Sequence, residues 1–137
     1  MNASPEHGPF RLADRPAHLG TGATAIPQPP FVPDMAWYEA YGVRHASDGR
    51  EGRLLSMHTF AAPWTMWEMH PEGAEVVLVT EGRCMLIQEC DGEVTRIELA
   101  AGDYAINPPG VWHTADAEGS VTAVFITAGI GTQHRPR

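Results

Sequence analysis

The residues best suited to chemistry in this sequence are two carboxylates and two histidines. Glu68 and His70 stand two apart in WEMHPEG, so on a strand their side chains point to the same face. A tight turn then returns the chain to Glu75, and His113 follows farther along. Two imidazoles with one or two carboxylates suit a divalent transition metal such as Fe, Mn, Ni, Co or Zn. We therefore predict that these four residues hold one metal ion.

The same four residues also suggest what the site does. His70, His113 and Glu75 alone form a facial triad, which leaves positions open for a bidentate oxygen substrate, dioxygen or water. We predict Glu68 and Glu75 as the catalytic carboxylates, because either can move a proton beside the shell. Without a metal, these groups would hydrogen-bond one another or hold a ligand directly.

Short strands must position these residues. After residue 53, segments rich in β-branched and aromatic residues alternate with turn residues. We predict eight strands, at 54–60, 65–70, 75–81, 83–89, 94–99, 103–107, 112–115 and 121–127. Eight short strands at this spacing indicate a closed sandwich or barrel. A short helix at about 35–45 is predicted before them, with Asp34 as its cap and Met35, Tyr38, Tyr41 and Val43 at helical spacing.

The first 33 residues carry most of the prolines and end in IPQPPFVP. Such a segment forms neither a helix nor a central strand, so 1–33 is predicted as an extended proline-rich arm and 34–137 as the folded domain. The apolar residues of the arm suggest that it lies along the domain or reaches a second subunit. A partly disordered tail is the alternative. Together with open edge strands, this arm predicts a homodimer.

Composition excludes several partners. The formal charge is −8, with 17 carboxylates against 9 Lys and Arg, which makes nucleic acid an unsuitable partner. No run is long and apolar enough for a membrane span, and the N-terminus lacks an export signal. Cys84 and Cys90 lie on one strand and its exit, where a bridge would be strained, so both are predicted as reduced thiols. We expect a cytoplasmic protein that binds a small molecule.

Two motifs resemble those of the cupin superfamily. The stretch WEMHPEGAEVVLVTEG ends at Gly82, seven residues after Glu75, and GDYAINPPGVWH runs from Gly102 to His113. Cupins have a first motif HxH, three or four residues, E, six residues, G, and a second motif G, five residues, PxG, two residues, H. The resemblance covers about 54–127. It implies an all-β double-stranded β-helix, or jelly-roll barrel, with a metal near its mouth.

One departure from the cupin pattern affects function. Glu68 stands where the first histidine of HxH is expected, and its negative charge lowers the net charge of the shell. The leading interpretation is a metal-dependent isomerase, lyase or dioxygenase for a small oxygenated molecule such as a hydroxy acid, an enol, a phenol or a sugar derivative. A non-catalytic binding module is the second interpretation. A metal-free sugar epimerase is the third, and the intact Glu75 and His113 spacing argues against it.

Strand parity and sequence proximity nominate further residues around the site. An apolar cup is predicted from the residues that share faces with the ligands: Met66, Val77, Val79 and Ala115. Trp64 is a candidate lid or stacking wall. Trp67 and Trp112 should point away from the ligands, into the core or a subunit contact. Tyr104 and His58 are weaker candidates, better explained as ordinary core or surface residues.

Overall fold

A computed structural model of the chain describes residues 7–137. Within that range it contains one α-helix, α1 (Met35–Arg44), and two short 3-10 helices at Thr21–Ala23 and Ala46–Glu51. The strands are β1 (Ala17–Gly20), β2 (Thr24–Pro27), β3 (Arg53–Phe60), β4 (Met66–Met69), β5 (Glu75–Glu81), β6 (Arg83–Cys90), β7 (Glu93–Ala100), β8 (Tyr104–Asn107), β9 (Trp112–Ala117), β10 (Val121–Thr127) and β11 (Gln133–Pro136).

Two antiparallel sheets form the domain. The larger has the order β2-β1-β3-β10-β5-β8, and the smaller has the order β11-β4-β9-β6-β7. Inward-facing side chains from both sheets meet in one apolar core, in which Val79 and Phe125 of the larger sheet pack with Leu86 and Leu99 of the smaller. Sequential strands such as β3 and β4 lie in different sheets, as in a jelly roll. The predicted all-β jelly-roll fold is confirmed.

All eight predicted strands are present, and the largest difference is that β9 continues to Ala117. The residues at the turns between these strands are restricted by the backbone conformation. At the β5–β6 turn Gly82 has a φ of 77°, and a Cβ there would collide with the carbonyl oxygen of Ser120. A glycine is therefore required at this position of the first cupin-like motif.

The proline-rich segment is not a single extended arm. Residues 17–27 form a hairpin in which β1 pairs with β2, and β1 continues the larger sheet by pairing with β3. Pro16 and Pro27 bound this hairpin, so neither proline interrupts it. The segment thus lies along the domain, and the prediction that it forms no central strand was wrong for β1, which pairs on both sides. The prolines lie outside β1, at the hairpin ends, and only β2 is an edge strand, where proline is tolerated. Residues 1–6 of the predicted arm lie outside the described range, and the boundary at residue 33 stays a prediction.

The helix α1 begins at Asp34, whose carboxylate accepts a hydrogen bond from the Trp37 backbone N–H at 2.9 Å. Trp37 is the buried residue of this helix, and its indole N–H donates to the Pro30 carbonyl at 3.0 Å. Met35 and Val43, part of the apolar spacing in the sequence, are 62% and 80% exposed. The predicted face is therefore only partly correct, because Tyr41 packs against the domain whereas Met35 and Val43 face solvent.

A buried polar cluster fastens α1 to the hairpin. His18, 1% exposed, contacts the Tyr41 hydroxyl through Nδ1 and the Asp48 carboxylate through Nε2, both at 2.6 Å. Its ring also stacks on His45, with centroids 3.8 Å apart. Both ring nitrogens of His18 thus have partners. This arrangement satisfies a polar side chain that would be costly to bury alone.

Both cysteines are free thiols, as predicted, with Cys84 buried and Cys90 exposed. No helix in the described part of the chain is long and apolar enough to cross a membrane.

Candidate metal centre

The four predicted ligands come together between the two sheets. Glu68 lies on β4 directly opposite His113 on β9, and His70 follows the end of β4. Glu75 begins β5 in the larger sheet, so the turn at 71–74 carries the chain from one sheet to the other. The cluster therefore forms only when the two sheets close on each other.

Glu75 lies between the two imidazoles. Its Oε2 is 3.2 Å from His70 Nε2, and its Oε1 is 3.1 Å from His113 Nε2. Glu68 Oε1 is 3.7 Å from the same nitrogen of His113. In addition, one ligand atom each from Glu68, His70 and His113 all lie within 4.8 Å of one another. Four side chains thus direct nitrogen and oxygen donors into one small volume.

A hydroxyl group sets the tautomer of His70. Thr132 Oγ1 donates its hydrogen to the Gly129 carbonyl at 2.8 Å, so it accepts from His70 Nδ1–H, which is also 2.8 Å away. The remaining nitrogen, Nε2, faces Glu75 Oε2 at 3.2 Å. Nε2 of His70 and both ring nitrogens of His113 are buried without a hydrogen-bond partner.

A second set of contacts orients Glu75. The side-chain amide of Asn107 donates to Oε1 at 3.0 Å, and the Thr127 hydroxyl donates to Oε2 at 2.6 Å. Asn107 is itself held by Gln88, whose amide donates to Asn107 Oδ1 at 2.9 Å. Each carboxylate oxygen of Glu75 therefore has one fixed donor and one imidazole neighbour, as expected for an oriented metal ligand.

Charge and burial oppose each other in the cluster. Burial alone would raise the pKa of Glu75, but contacts from His113 and His70 outweigh it and hold the pKa well below its usual range. Burial would lower the pKa of His113, but Glu68 and Glu75 outweigh it and raise the pKa to about 9. Burial also raises the pKa of Glu68, yet the contact with His113 leaves it lowered on balance. Both carboxylates are thus favoured in their charged form beside His113.

These observations fit a divalent metal ion. His70 Nε2 and the ring nitrogens of His113 are buried beside carboxylates without a hydrogen-bond partner, and a cation among them would give these polar atoms a partner. Two imidazole nitrogens and two carboxylates are also the donor types that first-row transition metals accept.

An open cavity of about 530 Å³ lies against Glu68, and we refer to it as the Glu68 cavity. Its lining residues are Phe60, Ala61, Ala62, Pro63, Trp64, Thr65, Met66, Glu68 and His134. Trp64 connects it to the cluster, because the indole lies edge-on to the His113 ring with centroids 6.3 Å apart. The volume is within the range of small-molecule sites.

The other residues that the sequence analysis placed near the site lie partly in the Glu68 cavity, partly in the core and partly at the surface. Trp64 and Met66 line the Glu68 cavity, whereas Val77, Val79 and Ala115 are buried hydrophobic residues. Trp67 and Trp112 point away from the ligands as expected, and the Arg135 guanidinium lies 5.2 and 4.4 Å from their ring centroids. Tyr104 is 64% exposed, and His58 packs between Phe31 and Phe125.

The sequence analysis missed the residues that support the ligands. His134, on β11 opposite Glu68, places its Nε2 3.1 Å from Glu68 Oε2. Thr127 and Thr132 come from distant parts of the chain, and no local pattern marks them. Asn107 is different, because β8 pairs with β5 so that Asn107 lies opposite Glu75. The antiparallel register of these two predicted strands was the available signal.

Comparison with known proteins agrees with this architecture. Residues 59–129 match the cupin domain family, so the chain belongs to the cupins. No curated protein sequence matches the chain.

Solved structures of oxalate oxidase show the same fold. Oxalate oxidase in complex with the substrate analogue glycolate is 16% identical, with a TM-score of 0.52 over 59% of this chain and 45% of that chain. A cupin-2 domain containing protein from Shewanella frigidimarina is 24% identical, with a TM-score of 0.47 over 62% of this chain and 71% of that chain. At these identities the likeness concerns the fold alone. The chain aligns with less than half of the oxalate oxidase length.

Proposed function

We propose that this cupin holds a divalent transition metal through Glu68, His70, Glu75 and His113, and that it is a metal-dependent enzyme for a small oxygenated organic molecule. The observation that carries the proposal is that two buried imidazole nitrogens without a hydrogen-bond partner, His70 Nε2 and His113 Nε2, converge on the carboxylate of Glu75. Hydrogen bonds from Asn107 and Thr127 keep the Glu75 oxygens in place.

The protein residues divide into two roles. His70, Glu75 and His113 are 6%, 3% and 0% exposed, so they are placed to bind and orient. The Glu68 side chain is 30% exposed and borders the cavity, so it is the group that can take a proton from a bound molecule. When bound, a divalent ion supplies Lewis-acid polarisation of a substrate oxygen. Isomerase, lyase and dioxygenase reactions all fit this division.

A non-catalytic binding module is the second candidate, and one observation favours it. If all four residues bind the ion, it would have four protein ligands, the number typical of structural rather than catalytic sites. In that case the protein would hold a metal or small ligand without turnover.

Metal content tests the site itself. Untagged protein purified without chelator should contain about one transition metal per chain, and Glu75→Gln should lose most of it. The matched control is Glu81→Gln, which makes the same change at an exposed position on the same strand. Retention of metal by Glu75→Gln, or its absence from the wild type after incubation with each candidate metal, would reject the proposed centre.

Glu68 separates the two candidate functions. Glu68→Gln in the metal-loaded protein should lower turnover by about 10²–10⁴-fold if Glu68 moves a proton. Dioxygen uptake and product analysis on phenols, enols, hydroxy acids and sugar derivatives would report it. Turnover that survives the substitution would remove Glu68 from the mechanism, and ligand binding without turnover in the wild type would favour the binding module.

We further propose a cytoplasmic homodimer. The two free thiols support an intracellular location. Exposed apolar residues at the open edge strand β8, Tyr104 and Ile106, support a subunit contact. Light scattering at micromolar concentration should give twice the 14.9 kDa chain mass. A mass of one chain would reject the dimer.

A further inference from the structure

Access to the metal centre is one-sided. His70, Glu75 and His113 are each nine-tenths or more buried, whereas the Glu68 side chain is 30% exposed. A molecule from solvent therefore reaches the cluster past Glu68. The Glu68 cavity lies on this side, so its lining decides what approaches.

The walls of the cavity suit a flat apolar ring. Phe60 and Trp64 meet edge-to-face with their ring centroids 5.7 Å apart, and Met66 adds a thioether beside them. Aromatic rings and a thioether are favourable neighbours for another aromatic ring. The polar end of the cavity is formed by Glu68 and His134, with Glu68 Oε2 engaged by His134 Nε2 at 3.1 Å.

The charged residues around the Glu68 cavity favour a neutral aromatic ring over an acidic one. The described residues that line the cavity include a carboxylate but no Lys or Arg that would pair with a bound acid. Arg137 contacts the Trp64 backbone carbonyl but is paired with Asp116 at 2.7 Å, and it does not line the cavity. An ionised acid would therefore lose solvation beside the like charge of Glu68 without gaining a guanidinium or ammonium partner.

The net charge of the metal with its four ligands also favours a neutral molecule over an acid. A divalent ion bound to two imidazoles and the carboxylates Glu68 and Glu75 has no net charge. A histidine in place of Glu68, as in the commoner motif, would leave a net charge of +1. The carboxylate at position 68 thus removes the attraction that a cationic shell offers to an anionic substrate.

We propose that the Glu68 cavity takes a neutral hydroxylated aromatic molecule, of the phenol class, in preference to an aromatic acid. The inference rests on the proposed function and narrows its substrate class. The ring lies against Phe60 and Trp64, and its hydroxyl donates a hydrogen bond to the Glu68 carboxylate.

Two ligands that share a ring and a phenol test the preference. These are 4-hydroxybenzyl alcohol, which is neutral, and 4-hydroxybenzoate, which carries a carboxylate at the same ring position. Calorimetric titration of the metal-free and the Zn²⁺-loaded protein should show the alcohol binding at least about tenfold more tightly in both forms. Glu68→Gln should reduce the preference to less than about threefold, and the control Glu81→Gln should leave it unchanged.

The aromatic wall is tested separately. Phe60→Leu and Trp64→Phe keep apolar bulk, and each should weaken the binding of 4-hydroxybenzyl alcohol by about three- to tenfold. Circular dichroism would confirm that the variants keep the fold. Equal or tighter binding of the acid, an unchanged preference in Glu68→Gln, or no measurable binding of either ring would overturn the inference. Failure of the proposed metal centre is a different result, because the protein would then hold no Zn²⁺ while the preference persisted in the metal-free form.

Discussion

Metal binding at this centre should release a proton, and its affinity should depend on pH through His113. Without a metal, contacts with Glu68 and Glu75 raise the pKa of His113 to about 9, so its ring is protonated at pH 7. A metal ligand must be deprotonated. The proton on His113 therefore has to leave before its nitrogen binds a metal.

The magnitude follows from the pKa. At pH 7 the ring is about two pH units below its pKa of about 9, so deprotonation weakens metal binding about a hundredfold, or about 3 kcal/mol. The association constant should rise about tenfold per pH unit between pH 6 and 9 and then level off.

Calorimetry measures this directly. Titration of metal-free protein with Zn²⁺ at pH 7, in buffers of different ionisation enthalpy, should show about one proton released per ion. Competition with a chelator of known affinity gives the association constant from pH 6 to 9. An affinity that is flat across this range, after correction for the chelator and buffer, would refute the assignment of a protonated His113 to the metal-free protein.

Three further outcomes are expected. In the metal-free protein, the raised pKa of His113 contributes stability that is complete below about pH 6.5 and is lost as the pH rises through about 9. The lowered pKa of Glu75 contributes stability above about pH 4.5, and this stability is lost as the pH falls. Urea unfolding should therefore show this contribution at its maximum between these two values, and a maximum above pH 8 would contradict it. Thr132→Val should weaken metal binding about 10–100-fold by freeing the His70 ring, with unchanged affinity as the contrary result. His18→Ala should lower the free energy of unfolding by about 2–4 kcal/mol, because Asp48 and Tyr41 lose a buried partner, and a loss below about 0.5 kcal/mol would show that the cluster is not needed.

Much of the fold could be predicted because the strands of this domain are bounded by turn residues. Gly82 illustrates this, since the β5–β6 turn excludes a Cβ and so leaves a glycine in the sequence. Strands β1, β2 and β11 were missed for the opposite reason. They are four residues long, and Pro27 and Pro136 lie within two of them. Pairing with longer strands, rather than their own pattern, defines them.

The candidate ligands could be found because strand parity is a local property. Glu68 and His70 share a face by their spacing alone, and the short turn restricts where Glu75 can lie. The supporting residues depend instead on how the two sheets close. Thr127 reaches Glu75 across 52 residues of sequence, and Thr132 reaches His70 across 62. No periodicity encodes contacts of that kind.

The helix α1 also shows how far a local sequence pattern can predict structure. Its capping residue Asp34 was correctly identified, because a cap acts on backbone groups only three residues away. The buried face was identified only in part, at Tyr41, because burial is decided by the residues that pack against the helix. Trp37 is buried where Pro30 and Phe31 of the preceding segment cover it, while Met35 is left exposed.

The register of the smaller sheet determines the neighbours of Glu68 and so bears on the proposed chemistry. Because β4 lies between β11 and β9, a side chain at this position has His134 on one side and His113 on the other. A histidine here would face two imidazoles and add no negative charge. A carboxylate can accept from both neighbours and still border the cavity with part of its surface. The position is therefore suited to a carboxylate that orients a hydroxyl-bearing ligand, and its replacement by histidine should alter ligand preference more than it alters metal retention.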